Sequence, residues 1–261
     1  MSSQASRYDQ RVRLRFGRRA DSYEQHALLQ RAVAWRLGRL CRDLALPAGP
    51  AADLGAGTGL LSSALVRHHN GLRARPPLQL DLCPELLARN PWPVRQQWNL
   101  DGGLPAPLGG AALLASSFAL QWLETPTDRL ADWCRSLAPG GWLALAVPTA
   151  GSFPQWRHAA SLAEVRCTAV PLPRAEALLA TTAAAGLRPL IAHRLRFSRP
   201  RQGGMIALRQ LRQLGADASR QPPLSASQLR RLLAHWPGET PLLWEVLLLV
   251  AQKPCPDPPY P

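Results

Sequence analysis

The chain has 261 residues, of which 46% are hydrophobic, and a formal net charge of +14 at pH 7. This is enough apolar sequence for a full core, while no uninterrupted apolar run approaches the roughly 20 residues of a membrane span, so we expect no membrane attachment. The start of the chain lacks the apolar stretch of a secretory signal, and the 5 cysteines show no CxxC or Cys/His clustering, which predicts a reduced, cytoplasmic protein without a metal site.

The positive charge comes almost entirely from arginine, because Lys253 is the single lysine among 31 basic residues. A charge of this size is compatible with nucleic-acid binding. The arginines are spread along the chain, however, with no run of five or six and no basic motif interleaved with aromatic residues. We therefore expect no nucleic-acid partner. A basic face for an acidic protein partner and simple solvation of arginine-rich helices both remain open.

The first 46 residues are predicted to be helical. Apolar positions between Tyr8 and Leu44 follow helical spacing and indicate two helices, broken near Gly17 to Ser22. Pro47 to Pro50 forms the turn into the first predicted strand.

The stretch Ala51 to Gly59 reads AADLGAGTG and predicts a strand that enters a helix through a tight loop. Glycine tolerates positive φ there and lets the backbone lie directly against a ligand. An acid two residues before the first glycine, with the third glycine earlier than in the dinucleotide fingerprint, resembles the first motif of class I methyltransferases that use S-adenosylmethionine (SAM). The expected cofactor contacts in this loop are Asp53, Gly55, Ala56, Gly57 and Gly59.

The run Leu78 to Leu82 places Asp81 at the tip of the second predicted strand. A carboxylate there can accept hydrogen bonds from both hydroxyls of a ribose, and Leu82 follows it against the ligand. The two coupled motifs favour SAM as the cofactor.

The third predicted strand, Gln96 to Leu100, leads to the sequence Asn99-Leu100-Asp101. Loops at this position in such folds usually place an acid or an amide against the adenine amino group. Either Asn99 or Asp101 fits that role, and the sequence does not separate them.

The rest of the chain continues the alternation of strands and helices. The predicted elements are strand four at Ala111 to Ser117, a helix at Asp128 to Leu137, a turn at Pro139 to Gly141, strand five at Trp142 to Val147, a helix at Pro173 to Ala185, a strand at Leu190 to Phe197, inserted helices at Gly203 to Gly215 and from Ser225 to His235, and a last strand at Leu242 to Ala251. Ser225 is the predicted N-cap of the second inserted helix.

The predicted fold is α/β and Rossmann-like, with a seven-stranded, mostly parallel sheet covered by helices on both faces. The predicted parts are an N-terminal helical segment at 1–46, a SAM-binding core at 47–199 and 239–253, a helical cap insertion at 200–238, and a disordered tail at 254–261.

Five further stretches resemble, in the same order, the malonyl-acyl carrier protein O-methyltransferases of biotin synthesis, the BioC family. They are FGRRADSYEQHALLQR (Phe16 to Arg31), SSFALQW (Ser116 to Trp122), GSFP (Gly151 to Pro154), LRQLRQLGA (Leu208 to Ala216) and the leucine- and arginine-rich helix Leu224 to Trp236. The likeness extends from about residue 11 to residue 253. It departs from the family at Ser117, where relatives often have asparagine, and in the weak first strand.

The resemblance implies a SAM-dependent carboxyl O-methyltransferase that converts the free carboxylate of a malonyl thioester into its methyl ester, early in pimeloyl and biotin synthesis. It implies that Tyr23 lies near the transferring methyl group on an N-terminal lid. It also implies that Gln121 and Trp122 lie in the site and that Ser116 contacts the cofactor. No general base is needed, since a carboxylate with a pKa near 4 is ionised at pH 7.

A cation is expected to hold the malonyl carboxylate, and Arg209 and Arg212 are candidates because arginine binds carboxylates bidentately. The acceptor could be carried on an acidic acyl carrier protein or on coenzyme A. The alternatives are a carboxyl methyltransferase for another small acid and a degenerate, non-catalytic module that binds an acidic carrier protein. N-methyltransferases have an N-P-P-[YF] turn at the end of strand four. The corresponding sequence Ser116-Ser117-Phe118 lacks these prolines, which argues against methylation of a nitrogen. We expect a monomer.

Overall fold

A seven-stranded sheet lies at the centre of the computed structural model, which describes residues 6–199, 203–238 and 242–255. Its strands are β1 (Ala51–Leu54), β2 (Leu78–Asp81), β3 (Arg95–Gln97), β4 (Ala111–Ser117), β5 (Leu137–Pro148), β6 (Arg188–Arg199) and β7 (Leu242–Gln252). Their order is β3-β2-β1-β4-β5-β7-β6, and among these strands only β7 runs opposite to the other six, pairing antiparallel with both β5 and β6. The predicted fold class is confirmed.

Helices flank the sheet and precede it. In chain order they are α1 (Arg7–Gly17), α2 (Tyr23–His26), α3 (Leu28–Leu40), α4 (Leu60–His68), α5 (Asn70–Ala74), α6 (Pro84–Leu87), α7 (Pro126–Ser136), α8 (Pro154–Leu162), α9 (Ala175–Ala184), α10 (Gly204–Gln213) and α11 (Ala226–Ala234). No helix in the described ranges is both long and apolar enough to cross a membrane.

Two hydrophobic clusters cover the two faces of the sheet. Leu114 of β4 packs in one cluster with Trp133 of α7, and Leu113 packs in the other with Leu37 of α3. Successive side chains of a strand point to opposite faces, so neighbouring residues of β4 serve different clusters. This explains why β4 reads as a continuous run of small apolar residues.

The helical cap insertion packs through aromatic residues. Gly204 begins α10 directly against Trp236, since a Cβ at Gly204 would lie 2.6 Å from the Trp236 ring. The predicted N-cap is found, because the Ser225 hydroxyl accepts a hydrogen bond from the Gln228 backbone N–H in a capping box. The insertion also meets the N-terminal segment, where a Cβ on Gly215 would lie 2.8 Å from the carbonyl oxygen of Arg15.

Several predicted boundaries were wrong. The break between the N-terminal helices is found, but Ala27 (φ −83°, ψ 38°) divides the second predicted helix into α2 and α3. The third strand ends at Gln97, because the Asn99 side chain caps a 3₁₀ turn over Leu100–Gly102. The predicted turn Pro139 to Gly141 is instead an irregular part of β5, with Gly140 at φ +74°.

The outer limits of the predicted parts fall partly beyond the described structure. Positions 200–202, where the insertion was expected to begin, and 239–241, where the core was expected to resume, are outside the described residues. The same holds for 256–261 of the predicted tail.

Candidate active site

The glycine loop follows β1 and is fastened to the neighbouring strand. The backbone N–H groups of Gly55 and Ala56 both donate to the carbonyl oxygen of Leu80, at 2.8 and 2.9 Å. Gly55, Gly57 and Gly59 have φ values of +76°, +52° and +83°, a region that side chains with a Cβ rarely adopt.

The three glycines have different surroundings. A Cβ on Gly55 would lie 2.1 Å from the Cβ of Ala119, and one on Gly59 would lie 2.8 Å from Asn90 Oδ1. A Cβ on Gly57 would meet nothing closer than Leu86 Cδ1 at 3.8 Å. Gly55 and Gly59 are therefore required for packing, whereas Gly57 borders open space.

Asp53 connects the end of β1 to the first turn of α4, on the far side of the glycine loop. Its Oδ2 accepts hydrogen bonds from the backbone N–H and the hydroxyl of Ser62, at 3.0 and 2.8 Å, while its Oδ1 is buried without a partner in the described structure. Burial of this carboxyl raises its pKa to about 7.

Asp81, at the end of β2, is hydrogen-bonded to the glycine loop. Its Oδ2 accepts the backbone N–H of Gly57 at 2.8 Å, and its Oδ1 accepts that of Cys83 at 2.7 Å. Burial raises the pKa of this carboxyl to about 6, against the opposing effect of the backbone hydrogen bonds. Each oxygen keeps a further lone pair for a ligand.

These groups line one side of a cleft at the carboxyl ends of β1, β2 and β4, which we call the glycine-loop cleft. Its empty volume, open solvent included, is about 950 Å³. The predicted residues that line it are Tyr23, Asp53, Gly55, Ala56, Gly57, Asp81, Leu82, Asn99, Leu100, Asp101 and Trp122.

Two predicted cofactor residues do not line this cleft. Gly59 faces Asn90 and Trp92 instead. Ser116 is fully buried, and its hydroxyl donates to the carbonyl oxygen of Leu54 at 2.7 Å, joining β4 to β1. Because side chains alternate along a strand, the next residue, Ser117, faces the cleft, and its buried hydroxyl has no partner in the described structure.

Asn99 and Asp101 both reach the cleft, but their polar atoms are used differently. Asn99 Oδ1 accepts the backbone N–H of Asp101 at 3.0 Å, and Asn99 Nδ2 donates to Asp9 Oδ2 at 2.9 Å. Asp101 Oδ1 accepts the backbone N–H of Glu124 at 2.8 Å. Burial, and then the charge of nearby Asp9, raise the pKa of Asp101 to about 6.

The N-terminal helices cover the cleft with aromatic rings. Phe16 contacts Tyr23 and Trp122 edge-on, with ring centroids 6.2 and 5.4 Å apart. Burial raises the pKa of Tyr23, and the carboxylate of Asp81 raises it further, so the phenol stays protonated at neutral pH.

A second space, which we call the aromatic cavity, adjoins the glycine-loop cleft. The two share Phe16, Tyr23, Gln30, Phe118 and Trp122. The remaining walls include Gln121, Phe153, Trp156, Thr168, Asp217 and Trp244. Gln121 is buried and donates from Nε2 to the carbonyl oxygen of Phe118 at 2.7 Å. The structure thus brings Tyr23, Gln121 and Trp122 together.

Arg209 and Arg212 line neither space. Both lie on α10 and face a separate groove, and Arg212 Nε lies 3.5 Å from Asp217 Oδ2. The aromatic cavity has no arginine among its described lining residues. The expectation that one of these arginines turns inward is not supported, because the apolar side of α10, with Leu211, packs toward the cavity.

Comparison with known proteins identifies the family. No family model matches the chain. A biotin biosynthesis bifunctional protein BioCD of Bordetella avium is 35% identical over 239 residues, which are 87% of this chain and 49% of that protein. A malonyl-[acyl-carrier protein] O-methyltransferase of Enterobacter lignolyticus is 32% identical over 253 residues, which are 91% of this chain and 94% of that protein. This chain belongs to the malonyl-[acyl-carrier protein] O-methyltransferase family.

The match to family members varies in extent. The chain spans about half the length of the Bordetella protein and of a malonyl-[acyl-carrier protein] O-methyltransferase of Alcanivorax borkumensis, which is 37% identical over 150 residues, 47% of its length. Among solved structures, a putative methyltransferase of Bacillus halodurans has a TM-score of 0.59 at 14% identity, covering 84% of this chain and 98% of that one. YcgJ of Bacillus subtilis has a TM-score of 0.58 at 13% identity, covering 85% and 99%. These two similarities confirm the fold.

SAM, the cofactor of class I methyltransferases, fits the glycine-loop cleft of this family member. The space that a Cβ on Gly57 would fill is open, and the Asp81 carboxylate stands beside it. The partly buried ring of Trp98 and the buried Leu100 supply apolar walls for a flat base. The buried, unpartnered hydroxyl of Ser117 adds a hydrogen-bonding group for a ligand.

Several residues that line these two spaces were not predicted from the sequence. Ser117 was detectable from the period of two along a strand. Phe16 stood inside the recognised N-terminal motif without being assigned a role. No local sequence pattern predicted Asp9 or Asp217. Asp9 lies on α1 and Asp217 follows α10, and both elements are distant in sequence from the strands at which the two spaces lie.

Proposed function

We propose that this chain transfers a methyl group from SAM to the free carboxylate of a malonyl thioester. The proposal depends mainly on one observation: the glycine-loop cleft and the aromatic cavity adjoin through shared walls at Phe16, Tyr23 and Trp122. A cofactor in the first space and an acceptor in the second would meet at Tyr23. Family membership supplies the acceptor, since the relatives' names state malonyl-[acyl-carrier protein].

The cofactor would be held by groups that the fold has already fixed. Asp81 would accept hydrogen bonds from the ribose, because its carboxylate is positioned by two backbone N–H groups. Asp101 is the better acceptor for the adenine amino group, since its carboxylate has two acceptor oxygens, whereas the single acceptor oxygen of Asn99 already accepts the Asp101 N–H. Once bound, SAM supplies an electrophilic methyl group on a positively charged sulfur.

The residues of the aromatic cavity would orient the acceptor and exclude water. The acceptor carboxylate needs no base, because it is ionised at neutral pH, and alignment of the reacting atoms is the main requirement. Tyr23 retains its proton at Oη and can donate a hydrogen bond to one carboxylate oxygen. The buried Trp156 Nε1, unpartnered in the described structure, is a second donor in the same cavity.

The aromatic cavity has no arginine among its described lining residues, so neutral donors take the role that the sequence predicted for Arg209 or Arg212. Each hydrogen bond to the carboxylate occupies one lone pair of an oxygen, and the same oxygen keeps another for attack on the methyl group. Tyr23 and Trp156 can hold the carboxylate while one oxygen lone pair stays available. The proposed roles of Tyr23, Gln121 and Trp122 are thus positioning and shielding.

The direct test is to incubate the protein with SAM and malonyl-carrier protein and to look by mass spectrometry for the gain of one methyl group. Malonyl-coenzyme A and an aconitate-type acid serve as parallel acceptors. We expect methylation of the malonyl thioesters only. Methylation of the small acid alone, or SAM binding without methylation of any acceptor, would contradict the proposal in favour of the two alternatives. A cytoplasmic location, a monomeric state and the lack of a nucleic-acid partner stay predictions from the sequence.

A further inference from the structure

A broad groove lies on the outer side of the cap insertion, between α1, α10 and residues 217–224. Its empty volume, open solvent included, is about 1740 Å³, larger than that of either space described above. We call it the arginine groove because its walls include Arg11, Arg15, Arg209, Arg212 and Arg220. Asp217 is the single carboxylate among the described residues that line it.

The positive charges of the groove are only partly compensated. Arg220 pairs with Glu124 at 2.5 Å and lies over the ring of Tyr8. Arg15 and Arg212 share one carboxylate, with nitrogens 3.3 and 3.5 Å from Asp217 Oδ2. Arg209 is exposed and has no ion-pair partner in the described part of the chain. The groove therefore has an excess of guanidinium groups, which is the chemistry that binds phosphate.

The groove continues into the aromatic cavity. Trp156, Thr168, Leu211, Asp217 and Ala218 line both spaces. Asp217 Oδ2 holds the two arginines, while its Oδ1 is buried and has no partner among the described residues. A buried acceptor of this kind is stabilised by an N–H donor from a ligand. The path from the groove to the cavity therefore has guanidinium groups at its outer part, the Asp217 acceptor where the two spaces join, and aromatic side chains in the cavity.

We propose that this path binds a phosphopantetheine arm. The phosphate lies on the guanidiniums of Arg209 and Arg212, an amide N–H of the arm donates to Asp217 Oδ1, and the thioester end lies in the aromatic cavity beside Tyr23. The inference rests on the proposed function, which requires a thioester acceptor, and adds the route by which the acceptor enters.

A second opening leads to the aromatic cavity, but its chemistry fits a phosphate less well. It runs between α2–α3 and α10 and shares Gln30, Leu211, Leu214 and Trp244 with the cavity. Its polar walls are mainly glutamine side chains, such as Gln25 and Gln213, and it has no arginine among its described lining residues. Charge therefore favours the arginine groove.

The test compares two small acceptors that differ only in the phosphate: malonyl-4′-phosphopantetheine and malonyl-pantetheine. For the unchanged protein we expect kcat/KM to be higher for the phosphorylated acceptor by roughly 10- to 100-fold, the factor expected for hydrogen bonds between charged groups. In the double variant Arg209→Ala/Arg212→Ala this preference should fall to near one.

The matched control is Arg230→Ala/Arg231→Ala on α11, which removes two exposed arginines outside the groove and should keep the preference. SAM affinity by calorimetry verifies that each variant is folded. The inference is wrong if the groove variant keeps the phosphate preference, or if Gln25→Ala/Gln213→Ala removes it instead. Failure of the unchanged protein to methylate malonyl-carrier protein and both small acceptors would overturn the proposed function itself, which is a different result.

Discussion

Asp81 connects the glycine loop to the start of α6 through the two oxygens of one carboxylate. Replacing it with alanine removes the acceptor proposed for the ribose and leaves the Gly57 and Cys83 N–H groups without their partner. We expect Asp81→Ala to weaken SAM binding by roughly 1.5–3 kcal/mol. Calorimetric titration measures this, with Asp43→Ala as the control because Asp43 is exposed and pairs with Arg42. Unchanged SAM affinity in a folded Asp81 variant would remove this residue from the site.

Gly57 and Gly55 allow binding to be separated from stability. Alanine at either position is strained at positive φ, by about 1–2 kcal/mol. At Gly57 the added Cβ enters the open cleft, whereas at Gly55 it would lie 2.1 Å from the Cβ of Ala119. We expect Gly57→Ala to lose SAM affinity at least tenfold with a modest loss of stability, and Gly55→Ala to lose more stability. Calorimetry and thermal unfolding compare the pair; normal SAM binding by Gly57→Ala would mean that the loop does not contact the cofactor.

Asp53 predicts a pH dependence of stability. Its pKa in the folded protein is about 7, above the reference value of 3.8, so the folded protein binds more protons than the unfolded chain between these values. Stability of the ligand-free protein should therefore fall as the pH rises from about 4 through about 7. Asp53→Asn should flatten this decline above pH 6, where Asp81 and Asp101 contribute less. Urea unfolding at pH 6 and pH 8 measures the slope, and an identical slope in the variant would contradict the assignment.

At the scale of single residues, the sequence predicted those residues of the glycine-loop cleft whose positions follow from the local backbone. Asp53, Gly57 and Asp81 were found because a ligand loop requires fixed residue types at fixed spacing. Roles that depend on tertiary contacts were not predictable. The direction of Arg212, for example, is set by an ion pair with Asp217 that also involves Arg15 of α1.

At the scale of elements, buried strands were predicted best. β4 was predicted over its full extent, because an apolar run covered on both faces has a clear pattern. β3 was misplaced because it is a short, exposed strand at the edge of the sheet, and its end is determined by the Asn99 side chain. Short, exposed elements carry little hydrophobic pattern, and their limits depend on individual capping contacts.

The contact between α1 and the end of α10 gives a prediction for the N-terminal cover. Gly215 has φ +73°, and a Cβ there would lie 2.8 Å from the carbonyl oxygen of Arg15 and the Cα of Phe16. These are backbone atoms, so α1 must move. We expect Gly215→Ala to displace Phe16 from Tyr23 and Trp122, and to raise the KM for SAM several-fold.

Gly186→Ala is the matched control for this change. Gly186 also has a positive φ, +78°, but a Cβ there meets nothing within 4 Å. Both variants therefore share the backbone strain, and only Gly215→Ala adds the clash, which should cost about 1–3 kcal/mol more. Steady-state kinetics and urea unfolding compare them. Equal effects of the two substitutions would show that α1 is not held against the insertion at this point.

At the scale of the whole molecule, the N-terminal helices and the cap insertion meet over the carboxyl ends of the strands, where ligands of such sheets bind. The arginine groove lies at this junction, on a chain whose formal net charge is +14. The distributed charge attracts any acidic partner at long range. The groove acts at short range, on the group that enters it.

These two effects differ in their response to salt. Interactions between exposed charges are screened beyond about 10 Å at 0.1 M salt, so association of an acidic carrier protein should slow as salt rises. We expect kcat/KM for malonyl-carrier protein to fall several-fold between low and moderate salt. For malonyl-pantetheine, which has no carrier protein and no phosphate, kcat/KM should change little. Arg230→Glu/Arg231→Glu should lower the carrier-protein value at low salt only. Arg209→Glu should lower it at every salt concentration, because it also removes a phosphate contact. Carrier-protein kinetics that do not vary with salt in the unchanged protein would contradict long-range attraction by the basic surface.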